Sequence, residues 1–420
     1  MLKAVIFDMD GVIVDSEPLH AEAAKITMED YGIQLPVSYF LNFVGSTTRH
    51  MYDIIIAEYK LSVTADELLE KNKLYCKKLY EERGRTPVEG AIELIKTLAG
   101  AGLKLAIASS STPEQIQVVV DEFELADYFT CLASGAALGK PKPNPDVFLE
   151  ALRLLEVNAD EAIIIEDSTN GVLAANNASI ACVGFLNPHS GKQDLYSAAV
   201  ATDSLTTLTP EYLNHILDRF NGVPLTIGQT PRLVLRELTL ENMEDLYQIY
   251  QNEEICHYIP PMGSLEEELD KHAAYIKNVY PFYGYGLWGI FTSKDNILIG
   301  RAGIQNQTID GQHELELCYL VANDYQNQGY ATEAGRSIID FAIEELDASR
   351  LVAVIAEGNA ASCQVAKKLG MSYEKDITYQ GFNCYLYSID LKEEKRRRLT
   401  AKGVAHFVKP DTRVYSKRYS

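Results

Sequence analysis

Little in this 420-residue sequence points toward a membrane, a nucleic acid or an oxidising environment. No apolar run approaches the roughly 20 residues that span a bilayer. Positive charge is scarce: 38 Lys and Arg stand against 59 Asp and Glu, a net charge of -21. A body this acidic repels phosphate backbones, which argues against a nucleic-acid partner. Cysteine is sparse too. The seven stand at 76, 131, 182, 256, 318, 363 and 384, an odd number with no CxxC pair. That argues against a disulfide frame or a zinc site and fits reduced thiols. Only Lys3 is basic before Asp8 brings the opposite charge. A secretory leader is therefore not expected, and a cytoplasmic setting is. No internal repeat or low-complexity tract is visible.

What is present is ordinary globular composition, 47% apolar and 23% charged, at a length that suits two or three domains. Up to about residue 200, short apolar runs alternate with helical patterns. The runs are Ala4–Phe7, Leu103–Ala108, Ala162–Ile165 and, more weakly, Ile180–Val183. Most are bounded by Gly, Ser or Asp, which predicts parallel strands in an α/β fold. Residues 16–85 interrupt the alternation with a wholly helical pattern, a lid inserted after the first strand. The first domain is expected over 1–220. Residues 221–231 (NGVPLTIGQTP), with two Gly and two Pro, read as a linker. A second domain, 232–391, has strands and helices of its own. A basic tail follows over 392–420, with ten Lys or Arg against three acids. It reads as a solvated extension, with acidic lipid or RNA as the alternative contacts.

Ligands of parallel α/β sheets bind beyond the carboxyl ends of the strands. Asp8 and Asp10 follow the first strand in VIFDMDG, Ser109 and Ser110 follow LKLAIA, and Glu166–Asp167 follows AIII. Lys142 lies in KPNPD before a helix. Carboxylates with neither thiolate nor clustered His suit Mg²⁺, and a cation beside them suits phosphate. The fitting chemistry is phosphoryl transfer: one carboxylate attacks phosphorus, and a second protonates the leaving oxygen and later activates water. Ser109 and Lys142 would hold phosphate oxygens, with help from the helix start after DSTNG (167–171).

These four motifs, FDMDG (7–11), AIASS (106–110), KPNPD (142–146) and IIIEDSTNG (163–171), resemble those of the haloacid dehalogenase (HAD) superfamily. The likeness is to its β-phosphoglucomutase-like branch with a helical cap, and covers about residues 1–205. The resemblance implies a Rossmann-like core, Asp8 as nucleophile and Asp10 as acid/base. It also implies Mg²⁺ held by Asp8, Asp10 (through its backbone carbonyl), Glu166 and Asp167. Between Lys140 and Lys142, the run KPxPD favours Lys142. In the cap, DSEPLH (15–20) and FVGSTT (43–48) resemble the hinge and specificity loop of sugar-phosphate phosphatases. Substrate contacts are accordingly expected at His20, Gly45, Ser46 and Thr47. His20 has a second reading as a surface or capping residue. The mutases of the branch have an Arg where this chain has Thr48, with Arg49 one place later, so a phosphatase is favoured over a mutase.

In the second domain, HELELCYLVANDYQNQGYATEAG runs strand, polar turn, helix. The turn sets Gln326, Asn327, Gln328, Gly329, Tyr330 and Ala331 at a helix N-terminus, where backbone N–H groups can cradle a pyrophosphate. No P-loop lysine is present, which disfavours a nucleoside triphosphatase. QNQGYA, with EGNAASCQVAKKLGM (357–371) after LVAVIA, resembles the GNAT acetyltransferase superfamily. RLVLRELTLENMEDLYQI (232–249) is similar to its ribosomal-protein acetyltransferase-like branch. The resemblance, over about 232–391, implies an α+β domain that binds acetyl-CoA and passes acetyl to an amine, on a small molecule or a protein N-terminus. Asn359 belongs to the cofactor site. Glu316 is the candidate base and Ser362 the candidate acid, since the slot that often holds a Tyr is Ala366. Tyr280, Tyr283, Tyr285 and Trp288 have two readings, acceptor pocket or core; Glu314 and Glu333 read as solvated. The expected protein is thus a Mg²⁺-dependent phosphatase of small phosphorylated sugars or polyols fused to an N-acetyltransferase. A fused hexose-phosphate mutase is the first alternative. A second domain that senses acetyl-CoA and regulates the first is the other.

Overall fold

Runs such as AVIF and AIII can be buried on both faces only where helices cover both sides of a parallel sheet. That is the arrangement in the computed structural model, which describes residues 1–43 and 48–401. The chain divides into two compact units, Met1–Asn221 and Gly222–Ser420. In the first, β1 (Ala4–Phe7), β2 (Lys104–Ser109), β3 (Cys131–Ser134), β4 (Ala162–Glu166), β5 (Ala181–Phe185) and β6 (Val200–Thr202) form one sheet in the order β3-β2-β1-β4-β5-β6. Every neighbouring pair is parallel. Alternate side chains feed two cores. Val5, Phe7, Leu105, Ile107, Ile163 and Ile165 face one. Ala4, Ile6, Ala106, Ala108 and Ile164 face the other. Because β2 and β4 flank β1 on opposite sides, the chain order reverses at β1 and leaves a crevice beyond its carboxyl end.

The segment after β1 is helical at Glu17–Glu29, Val37–Leu41, Thr48–Tyr59 and Ala65–Arg83. These helices close on a small core of their own, including Met28, Phe40, Tyr52, Ile55 and Leu68. The longest is started by a capping box between Thr64 and Glu67. The Asp15 N–H donates to the Thr86 carbonyl at 2.9 Å, which ties the outgoing and returning chains together at the base of the cap.

The second unit is built on an eight-stranded sheet ordered β13-β14-β12-β11-β10-β9-β8-β7. Its strands are β7 (Thr226–Gln229), β8 (Leu233–Arg236), β9 (Leu287–Thr292), β10 (Leu298–Ile309), β11 (Gln312–Val321), β12 (Arg350–Ala356), β13 (Ser372–Tyr379) and β14 (Phe382–Asp390). The stretch read as a linker is corrected here. β7 pairs antiparallel with β8, and Ile227 packs on the core. The two Gly and two Pro around Thr226–Gln229 hid a short edge strand, a position that tolerates both residues. β11 and β12 are parallel and pair at a single register position, Glu316 with Val352, whereas β10 and β11 pair over their full length. The sheet therefore splays after Glu316. The helix Tyr330–Glu344 covers the opposite core through Ala334, Ile338, Ile339 and Ala342. The basic segment begins as a helix, Leu391–Ala401; residues 402–420 lie outside the described residues. No described helix is long and apolar enough to cross a membrane.

Candidate active sites

The crevice beyond β1 collects the charged residues named from the motifs. Asp8, Glu166 and Asp167 are 7%, 1% and 6% exposed. One cation answers them. The Lys142 ammonium donates to Asp8 Oδ1 at 2.5 Å and to Glu166 Oε1 at 2.6 Å, above the Phe148 ring. Lys140 instead pairs with Asp146 at the surface. Burial raises Asp8 to about 7; Lys142 opposes the shift and Glu166 adds to it. Asp167 is raised by burial and by the Glu166 and Asp8 charges. Burial works against the Lys142 ammonium, but Asp8 and Glu166 hold it charged. Ser168 secures Glu166 through its N–H at 2.7 Å and its hydroxyl at 3.0 Å, and caps the helix Thr169–Asn177. Gly171 makes room for this: a Cβ there would lie 1.7 Å from Glu166 Oε1.

Asp10 is held differently. The Ser16 hydroxyl donates to its Oδ1 at 3.1 Å, and the Ser111 hydroxyl to its Oδ2 at 3.0 Å. The structure thus brings Ser111, not Ser110, to the acids; Ser110 is exposed. Ser109 is buried, and its Oγ accepts the Ser111 N–H at 3.1 Å. Sequence reading missed Ser16, Ser111 and also Ser190, which donates to Asp167. A third serine in the run SSS (109–111) was the available signal for Ser111; Ser190 carried none.

Three buried carboxylates against one ammonium leave a surplus of negative charge in a hard-oxygen environment. That donor chemistry fits a divalent cation such as Mg²⁺. Among the described residues, no three of His, Cys, Asp and Glu are already gathered as a metal cage. The reason is visible: Lys142 occupies the gap between Asp8 and Glu166, and Asp167 turns to Ser190.

Beside Asp10 a cavity of about 370 Å³ is lined by Glu17, His20, Thr48, Tyr80, Arg85 and Ser111, among others. His20 lies 3.4 Å from both Cys76 Sγ and the Tyr80 hydroxyl. Desolvation lowers its pKa against the pull of Asp10, with Arg85 lowering it further. Arg85 is bound to Glu122 at 2.5 Å. Arg49 turns away to Asp66 on the cap surface. Gly45, Ser46 and Thr47 lie outside the described residues.

In the second unit, the splay of β11 from β12 opens a cavity of about 340 Å³. Glu316, Asn359 and Ser362 line it with Arg301, Gln305, Gln307, Tyr379 and others. Glu316 is 7% exposed; its pKa is raised by burial and opposed by the hydrogen bond from Gln305 Nε2 at 3.0 Å. Asn359 accepts the Ser362 N–H at 3.0 Å and starts the helix Ala360–Lys368. The Ser362 carbonyl accepts the Tyr319 hydroxyl at 2.9 Å. Ala366 is fully buried in the core, so its side chain has no access to this cavity.

The turn at 326–329 uses its side chains on itself. Gln326 Nε2 donates to Val321 O and Asn323 Oδ1, both at 3.0 Å, and Gln328 Nε2 donates to Asp324 O at 3.0 Å. Asn327 and Gly329 have φ of +60° and +84°, left-handed values that lead into the helix starting at Tyr330, with Ala331 in its first turn. The Gln326 N–H donates to the Asn323 carbonyl at 3.1 Å, so an anion at this helix start would meet the backbone N–H groups that follow rather than these side chains. Of the aromatics with two readings, Trp288 and Tyr280 are core, and the Tyr285 hydroxyl donates to Asn306 at 2.8 Å. Glu333 is not simply solvated, since it pairs with Arg232; Glu314 pairs with Arg350 at 3.2 Å.

Known proteins resemble the two units separately. The family profile described as haloacid dehalogenase-like hydrolase matches residues 5–185, and that of the acetyltransferase (GNAT) domain matches 232–372. A phosphorylated carbohydrates phosphatase of Thermotoga maritima is 30% identical over 207 residues, 48% of this chain and 93% of the relative. Hexitol phosphatase B of Escherichia coli is 30% identical over 215 residues, 50% of this chain and 96% of the relative. A β-phosphoglucomutase structure from Clostridium difficile matches 53% of this chain and 100% of its own, at 25% identity and a TM-score of 0.43. The chain belongs to the haloacid dehalogenase-like hydrolase family and carries a GNAT acetyltransferase domain; it is an enzyme.

Proposed function

We propose that the first unit is a Mg²⁺-dependent phosphatase of small phosphorylated sugars or polyols, and that the second transfers acetyl from acetyl-CoA to an amine. The observation that carries the first half is the different bonding of the two aspartates. Asp8, buried against Lys142, suits in-line attack on phosphorus. Asp10, held by two hydroxyls at the mouth of a cavity, suits proton traffic. Lys142 and the amides after β2 would hold phosphate oxygens, while Asp10 protonates the departing alkoxide. Water, deprotonated by Asp10, then cleaves the aspartyl phosphate. Asp8, Glu166, Asp167 and the Asp10 carbonyl would hold Mg²⁺, which supplies charge neutralisation at the phosphoryl group.

A phosphatase is favoured over a mutase because the cavity has little to hold a second phosphate. Thr48 lines it, Arg49 is spent on Asp66, and Arg85 is paired with Glu122. In the second unit, Glu316 would take the proton of the acceptor ammonium and Ser362 would face the departing thiolate. The N–H groups of 327–331 would hold the cofactor pyrophosphate, with Asn359 shaping its far side.

The test is phosphate release from a panel of sugar and polyol phosphates with Mg²⁺, alongside β-glucose 1-phosphate with a bisphosphate primer. Steady release without the primer is expected. Primer-dependent isomerisation without net release would establish the mutase instead. For the second unit, acetyl-CoA-dependent thiol release with amine acceptors is expected; tight acetyl-CoA binding with no turnover would favour the regulatory reading.

A further inference from the structure

The first cavity contains a carboxylate that phosphoryl transfer does not use. Glu17 stands at the start of the helix Glu17–Glu29 and lines the cavity with Asp10, His20, Tyr80 and Arg85. It makes no hydrogen bond or ion pair among the described residues, and its charged neighbours there are Asp10 and Asp15. Arg85 is the one Lys or Arg among the described residues lining the cavity, and it is committed to Glu122 and stacked on Tyr80. The His20 pKa is lowered, which disfavours its cationic form. A neutral polyol would leave the partly buried Glu17 carboxylate without a countercharge, which disfavours its anion. A protonated amine on the substrate body would remove that deficit with a charge-assisted hydrogen bond.

The second cavity has the complementary chemistry. Gln305, Gln307 and Tyr379 line it around Glu316. These amides and hydroxyl both donate and accept, as the hydroxyl groups around a sugar amine require. Glu316 is placed to take that amine's proton.

Resting on the phosphatase reading above, we infer that both sites act on one molecule. An amine-bearing phosphorylated sugar or polyol loses its phosphate in the first unit, with Glu17 holding its ammonium. The freed amino sugar or amino polyol is then N-acetylated in the second. The order follows from charge, because acetylation turns the ammonium into a neutral amide and removes the partner of Glu17. In the first step the substrate P–O bond breaks, and water supplies the oxygen of the released phosphate. In the second, a C–N bond forms as the thioester C–S bond breaks. Of the two protons the ammonium loses, one leaves through Glu316 and one ends on the CoA thiol.

The experiment uses the full chain with Mg²⁺ and matched pairs: glucosamine 6-phosphate with glucose 6-phosphate, and galactosamine 6-phosphate with galactose 6-phosphate. The amino member of at least one pair should be preferred about tenfold or more in kcat/KM, mainly through KM. Glu17→Gln should bring that ratio toward one, and Glu17→Asp should keep most of it. N-Acetylglucosamine 6-phosphate should be hydrolysed no better than glucose 6-phosphate. On adding acetyl-CoA, the released amino sugar should gain one acetyl group by mass spectrometry. Equal hydrolysis of both members of each pair, or a ratio untouched by Glu17→Gln, would overturn the inference while the phosphatase reading stands. Amino sugars left unacetylated would overturn the shared-substrate step. No phosphate from either member of any pair, with other sugar phosphates equally inert, would overturn the phosphatase reading and the inference with it.

Discussion

The two candidate sites of this chain are built from opposite materials. In the first unit, side chains carry the charge: Asp8, Glu166 and Asp167 are forced together in the interior with one lysine between them. In the second, the turn at 326–329 presents mainly backbone, because the conspicuous side chains Gln326 and Gln328 bond to their own turn. One buried carboxylate, Glu316, lines its cavity. A site of clustered charges costs folding free energy and depends on its counterions; a site of N–H groups at a helix start is part of the secondary structure. The first should therefore respond to mutation through both stability and chemistry, the second chiefly through chemistry.

The sharpest way to break this contrast is Asp8→Asn. Phosphate release should fall by about 10³-fold or more, as expected for loss of a nucleophile. Acetyl transfer by the same chain should not change; a parallel loss of both activities would mean the units do not act separately. Next comes Lys142→Met, which leaves Asp8 and Glu166 facing each other without a cation. It should destabilise the first unit by about 3–5 kcal/mol, read by denaturant unfolding, with Mg²⁺ recovering part of the loss. An unchanged midpoint would show that the charge cluster is not under strain. Glu316→Gln should lower acetyl transfer by about 10²-fold while barely moving the unfolding midpoint. Burial raises the Glu316 pKa, and only its deprotonated form accepts a proton. The wild-type rate should therefore climb with pH through a value above the ordinary glutamate range, and the variant should lack that limb.

The smallest effect concerns Glu17. Burial, with Asp10 and Asp15 nearby, raises it from 4.5 to about 7. A raised carboxyl favours the folded state in its protonated form. That stabilisation is complete below about pH 4.5 and lost as pH rises through about 7. Glu17→Gln should remove this slope, so that stability between pH 5 and 8 falls by about 1–3 kcal/mol less than in wild type. Equal slopes would show that the carboxyl is well solvated.

Legibility followed the same division. Asp8, Asp10, Lys142, Glu166 and Asp167 were readable because each sits next to an apolar run or in a short fixed motif, and parallel strands deliver their carboxyl ends to one edge. Ser16 and Ser190 were not. Each reaches its aspartate only through the path of a loop, the cap hinge for one and the segment after β5 for the other. The 221–231 stretch misled for a related reason: its Gly and Pro are loop signals, yet an edge strand accepts them once a neighbour such as β8 is there to pair with.

Residue order alone determined the strand runs, the helical insertion after Phe7, the two-unit organisation, and the kind of chemistry at each motif. These depend on local apolar periodicity and on residue type. Tertiary structure decided which lysine meets Asp8, which serine holds Asp10, that Arg49 leaves the cavity while Glu17 enters it, and where β11 parts from β12. Those outcomes depend on the direction of side chains brought together across many residues of intervening chain, which the spacing of residues along the sequence does not encode.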